Sequence, residues 1–233
     1  MEIIKLKKSI IPSCDVNNLE KLAKLVKATS SVKGVGAYKI GFELVIPFGM
    51  KAAVKTIRKY TRLPIIYDHQ KAGTDIPDTG DAFMKACKAA GVDSVIIFPQ
   101  SGPVTEEAWI NAAKKYKLHI IVGGEMTHPG YLETENGFLK SNSPKRMYQI
   151  AASCGVIDYV VPGNKPEKIA EYKLFFETKG IKPIFYSPGL ISQGGSISES
   201  AKAAGDNWHA IVGRSLYTAP DIKKKAQELV SAL

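Results

Sequence analysis

The run Pro64-Ile65-Ile66-Tyr67 leads directly into Asp68-His69-Gln70-Lys71-Ala72-Gly73-Thr74-Asp75-Ile76-Pro77-Asp78-Thr79, and a helical pattern begins soon after, at Phe83-Met84-Lys85-Ala86-Cys87. A short, continuous apolar run with β-branched residues reads as a strand covered on both faces. The segment is therefore one strand–loop–helix unit, with two carboxylates and a lysine gathered at the strand's end. A lysine between two acids is held protonated and is placed to deliver a proton. A solvated turn with an incidental ion pair would need no more than the same twelve residues. The rest of the chain decides between them.

Working outward, the same unit recurs along the chain. Apolar runs at 9–14, 36–40, 64–67, 94–98, 119–123, 158–161, 183–187 and 210–212 read as strands. Amphipathic patterns at 19–28, 50–60, 81–90, 106–116, 144–153, 166–178, 198–204 and 221–232 read as helices. Gly91 and Gly180 stand where helix C-terminal stops belong. Eight strand–helix units in 233 residues is the count of a (β/α)8 TIM barrel, here a single α/β domain over residues 1–233. A doubly wound open sheet is the alternative, but no Gly-x-Gly-x-x-Gly follows the first strand.

Composition narrows the class further. Hydrophobic residues make up 45% of the chain and charged residues 23%, as in ordinary globular proteins. Cys14, Cys87 and Cys154 are scattered without a CxxC pair, which argues for reduced thiols, a cytoplasmic setting and no zinc site. The first residues lack a signal-peptide core, and no apolar run reaches membrane-spanning length. The net charge of +10 is spread over every helical pattern, as at Lys21, Lys24 and Lys27. That distribution describes solvated helix faces and argues against a nucleic-acid partner.

In such a barrel the chemistry is built where strands end, at their C-terminal side. Asp15 follows the first strand, and Lys39 closes the second inside an apolar run. Burying an unpaired lysine is costly, so Lys39 points to function. The third strand delivers Asp68, Lys71 and Asp75. The fifth runs into Glu125-Met126-Thr127-His128-Pro129-Gly130, where His128 reads either as a ligand or base, or as a loop residue bonded to backbone. The seventh runs into Ser187-Pro188-Gly189-Leu190-Ile191-Ser192-Gln193-Gly194-Gly195, and the eighth into Val212-Gly213-Arg214-Ser215. Glycine backbone and an arginine fork suit phosphate oxygens, and barrels often hold phosphate at these two loops.

Taken in order, Asp15, Lys39-Ile40-Gly41, Asp75-Ile76-Pro77-x-Thr79, Glu125 to Gly130, Ser187-Pro188-Gly189, Gln193-Gly194-Gly195 and Val212-Gly213-Arg214-Ser215 resemble the orotidine 5′-phosphate decarboxylase family over nearly the whole chain. The resemblance implies decarboxylation of orotidine 5′-phosphate to UMP, with no cofactor and no metal. It implies that Asp15 and Lys39 hold ribose hydroxyls and that Lys39 braces Asp68. Lys71 would protonate C6 of the pyrimidine, with Asp68 against the substrate carboxylate. Asp75, Ile76 and Thr79 would belong to a site shared across a homodimer, Asp75 and Thr79 reaching into the neighbouring subunit. Thr127 would meet the base edge, where the family usually has serine. Gln193, Gly213 and Arg214 would grip the phosphate, and the loop from Pro188 onward would close as a lid.

One departure stands out. The family pattern is Asp-x-Lys-x-x-Asp, whereas Asp68 and Lys71 are three apart and Lys71 and Asp75 four apart. Positions i and i+3 on a regular strand face opposite ways, so a bulge or tight turn is expected, with Gly73 supplying the freedom. Otherwise His69 or Gln70 takes the place beside the lysine. Two other functions compete: a magnesium-dependent sugar-phosphate decarboxylase or aldolase of the same superfamily, and a non-catalytic basic binding protein.

Overall fold

The computed structural model describes residues 2–69 and 72–233. Its strands are β1 (Lys8–Pro12), β2 (Tyr38–Ile40), β3 (Ile65–Asp68), β4 (Ser94–Ile97), β5 (His119–Gly123), β6 (Asp158–Val160), β7 (Ile184–Ser187) and β8 (Trp208–Val212). Every pairing is parallel, in the order β1-β8-β7-β6-β5-β4-β3-β2. The remaining seam, β1 against β2, is closed by two isolated bridges, Ile10 to Val35 and Ser13 to Lys39. There the Cys14 N–H donates to the Lys39 carbonyl at 2.8 Å. The result is the expected (β/α)8 barrel.

The strands read as unbroken apolar runs because each face meets a different core. Ile11, Ile66, Ile96, Ile121, Val160, Ile184 and Ile211 point inward and fill the barrel. Their neighbours Ile10, Ile65, Tyr67, Val95, Ile97, Ile120, Tyr159, Phe185 and Ala210 point outward beneath the helices. Side chains alternate with period two even though hydrophobicity does not. The lower end of the barrel is polar. Ser9 Oγ lies 2.8 Å from His209 Nδ1, Tyr186 OH donates to Asp158 Oδ1 at 2.8 Å, and His119 Nε2 lies 3.0 Å from Asp158 Oδ2.

The helices are α1 (Leu19–Thr29), α2 (Phe42–Phe48), α3 (Met50–Arg58), α4 (Thr79–Ala90), α5 (Pro103–Lys115), α6 (Ser143–Ser153), α7 (Pro166–Glu177), α8 (Ile197–Ala204), α9 (Arg214–Tyr217) and α10 (Ile222–Ser231). Asn18 caps α1 by accepting the Lys21 N–H at 2.8 Å, which fixes the loop carrying Asp15. Helix α4 ends at Gly91 in the left-handed conformation, as its sequence position foretold. Two helices were not anticipated. Helix α2 contains Pro47, a residue that reads as a helix breaker but sits in the last turn before Gly49. Helix α9 is a four-residue turn, too short to carry a periodic signal. No helix among the described residues is long and apolar enough to cross a membrane.

Candidate active site

A cavity of about 440 Å³ opens at the C-terminal ends of the strands. One wall is charged. Lys39, the middle residue of β2 and 4% exposed, places Nζ 3.1 Å from Asp68 Oδ2 and 3.6 Å from Asp15 Oδ1. Ser13 Oγ donates to the second Asp15 oxygen at 2.7 Å, so that carboxylate is held from two sides. Burial opposes the charge on Lys39, but the Asp68 and Asp15 carboxylates more than offset it, and its pKa lies above the ordinary lysine value. A buried ammonium shared by two acids makes a rigid row of alternating charge, Asp15–Lys39–Asp68.

The other walls come from later strands. Ile96, Phe98, Val160 and Ile211, at the top of the inner core, make an apolar floor. Met126, Thr127 and His128 come from the loop after β5, Pro188, Gly189, Ser192 and Gln193 from the loop after β7, and Gly213, Arg214 and Tyr217 from β8 and α9. Two of these loops are tied together. The Asn164 side-chain amide donates to the Thr127 carbonyl at 2.9 Å, and the Gly163 N–H donates to the Pro188 carbonyl at 2.8 Å. Gly189 has φ +87°, and a Cβ there would lie 2.7 Å from Thr127 Cγ2, so only glycine fits. Beneath Thr127, Glu125 is buried against Lys165 Nζ at 3.1 Å and accepts the Tyr172 hydroxyl; Lys165 also reaches Glu135 at 3.0 Å. This network anchors the loop that carries Thr127.

Of the residues singled out in the sequence, the cavity unites Asp15, Lys39, Asp68, Thr127, Pro188, Gln193, Gly213 and Arg214. Lys71 lies outside the described residues. Asp75, Ile76 and Thr79 do not line this cavity. Asp75 and Ile76 edge a separate groove, and the three make short-range bonds: Asp75 Oδ1 accepts the Ile76 N–H at 2.7 Å, and Thr79 Oγ1 donates to the Ile76 carbonyl at 2.9 Å. Ile76 is 58% exposed. The sequence reading missed Ser13, Phe98, Met126 and Tyr217, and left His128 open. Ser13 is two residues before Asp15 and Tyr217 one helical turn after Arg214, spacings that could have flagged both. Phe98 and Met126 carry no polar signal.

With the geometry in hand, comparison with known proteins decides the family. The model of the orotidine 5′-phosphate decarboxylase / HUMPS family matches residues 8–229. The chain belongs to this family. Among its members, the curated orotidine 5′-phosphate decarboxylase of Methanosarcina mazei is 32% identical over 225 residues, covering 96% of this chain and 94% of that protein. The enzyme of the same name from Pyrococcus abyssi is 29% identical over 220 residues, covering 94% of this chain and 96% of that one. Among solved family structures, the orotidine 5′-monophosphate decarboxylase of Methanocaldococcus jannaschii complexed with the inhibitor BMP has a TM-score of 0.85 at 27% identity, covering 97% of this chain and 98% of that one.

Proposed function

We propose that this protein is a carboxy-lyase that converts orotidine 5′-phosphate to UMP in pyrimidine biosynthesis. The observation that carries the reading is the row Asp15–Lys39–Asp68 lining one cavity with Gly213 and Arg214, in a chain of this family. The phosphate goes to Gln193, Gly213 and Arg214, with Pro188 and the residues after it closing over it. Asp15 and Lys39 take the ribose hydroxyls, and Thr127 meets the base edge. This sets C6 and its carboxylate beside Asp68.

The barrier is the carbanion that develops at C6 as carbon dioxide leaves, so the site must favour that charge over the ground-state carboxylate. In this reading Lys71 supplies the counter-charge and then the proton. Two unit charges about 4 Å apart interact by about 4 kcal/mol at an effective dielectric near 20. Asp68, held in place by Lys39, repels the substrate carboxylate, and the repulsion is relieved on its departure. Remote phosphate binding keeps the lid shut and the array aligned. The chemistry needs no cofactor. Asp75, Ile76 and Thr79, set apart from their own cavity, complete the site of a second subunit, so the working form is a homodimer in the cytoplasm.

The test is the loss of orotidine 5′-phosphate absorbance on adding pure protein, with and without EDTA. Conversion that survives EDTA supports this reading. Loss of activity in EDTA, restored by magnesium, points to the metal-dependent sugar-phosphate branch instead.

A further inference from the structure

The two residues that this chain adds to the family's Asp-x-Lys-x-x-Asp spacing have a structural counterpart. Along the β3–β4 ladder, the Asp93 N–H donates to the Ile65 carbonyl, 28 positions earlier, and Asp68 pairs with Ile96 at the same offset. The Phe98 N–H instead donates to the Ala72 carbonyl at 2.8 Å, only 26 positions earlier. By Ala72 the third strand's exit has therefore used two residues more than the ladder requires. The chain then turns at Gly73, φ +85°, against Pro99.

What happens on the near side of that excess is set by His69. Ile66 lies in the inner core, Tyr67 in the outer one, and Asp68 faces Lys39 in the cavity. His69 continues the alternation outward: its Nδ1 is hydrogen-bonded to the Tyr67 hydroxyl, and its ring sits edge-on to Phe83 of α4, centroids 6.0 Å apart. Phe83 in turn packs on Trp109 of α5 at 5.0 Å. Burial, with the charges of Cys87 and Asp68, holds the Tyr67 phenol above its ordinary pKa, so it stays protonated. His69 is thus fastened away from the cavity.

We propose that His69 is a positioning residue for the decarboxylation: its bond to Tyr67 clamps the end of β3, so that Asp68 is held in register against Lys39 and the reacting carboxylate. This inference rests on the proposed decarboxylase activity. A loop two residues longer than the family pattern has more conformations available, and a misplacement of about 1 Å in a reacting group costs about 100-fold in rate.

The experiment measures turnover of orotidine 5′-phosphate and UMP affinity for wild type, His69→Ala, His69→Asn, Tyr67→Phe and the His69→Ala/Tyr67→Phe double variant. We expect kcat to fall about 10- to 100-fold in His69→Ala and Tyr67→Phe, with UMP affinity within about twofold, because the phosphate grip is remote. The side-chain amide of His69→Asn offers both a donor and an acceptor in place of Nδ1 and should restore most of kcat. The double variant should be no worse than the poorer single one, since both break the same bond. Unchanged kcat in His69→Ala with a lowered melting temperature would overturn the proposal and leave His69 a packing residue, as would additive losses in the double variant. A wild-type protein inert toward orotidine 5′-phosphate would overturn the decarboxylase reading and this one with it.

Discussion

Replacing Lys39 with methionine removes the cation at the centre of the charged wall while keeping the length of the side chain. At 3.1 and 3.6 Å, each of its two carboxylate contacts is worth about 5 kcal/mol at an effective dielectric near 20. The cost of burying the ammonium offsets much of this, and removing one partner of a buried pair typically loses about 3–5 kcal/mol. Asp68 and Asp15 keep 14% and 31% side-chain exposure, so water takes up part of their stranded charge. A net loss of about 2–4 kcal/mol follows, which for a chain of this size lowers the melting temperature by about 5–15 °C. Thermal unfolding at pH 7 reads this directly, and turnover of orotidine 5′-phosphate should collapse in the same variant. Because Lys39 is buried, raising ionic strength should not close the gap. A Lys39→Met protein that melts like wild type and still turns over would refute both the bracing of Asp68 and the place of Lys39 in the site.

Arg214→Ala should weaken UMP by about 30-fold or more in calorimetry, since a charged hydrogen-bonding contact to phosphate contributes about 2 kcal/mol or more; equal affinity would remove Arg214 from the phosphate site. Glu106 of α5 is buried, its Oε1 has no partner among the described residues, and burial with the Glu107 charge pushes its pKa up from 4.5 to about 8. The folded state then binds the proton more tightly than the unfolded one, so stability is lost as pH rises from 4.5 to 8. Glu106→Gln should flatten that slope and stabilise the protein at pH 8 by at most about 4 kcal/mol in denaturant titrations, and an unchanged slope would show that Glu106 titrates normally. Co-refolding equal amounts of Lys71→Ala and Asp75→Ala should restore about a quarter of wild-type sites, because mixed dimers place both damaged residues in one site and leave the other intact. No recovery despite demonstrated mixed dimers would put Asp75 in its own subunit's site.

The barrel was legible because eight apolar runs, each followed by an amphipathic stretch, leave few other ways to bury them. Boundaries shifted where polar residues are buried: β8 begins at Trp208 and not at Ala210 because His209 finds Ser9 across the β1–β8 pair. The charged residues of the cavity were legible because Asp15, Lys39, Asp68 and Arg214 are polar groups at strand ends, where solvation alone would not place them. The apolar lining was not. Phe98 and Ile96 look like any core residue, and only the inward turn of the strand top makes them a floor. The spacing around Lys71 showed that a regular strand could not serve Asp68 and Lys71 together. It could not show which way His69 points, since that depends on Tyr67 and on Phe83, fourteen residues further along.

The central claim is tested most directly by incubating wild type and Lys71→Ala side by side with orotidine 5′-phosphate, following absorbance and confirming UMP by chromatography. The account predicts conversion to UMP by the wild type and none above background by Lys71→Ala, with UMP still bound by the variant. A wild-type protein that leaves orotidine 5′-phosphate unchanged, or a Lys71→Ala variant that turns it over at the wild-type rate, would contradict it.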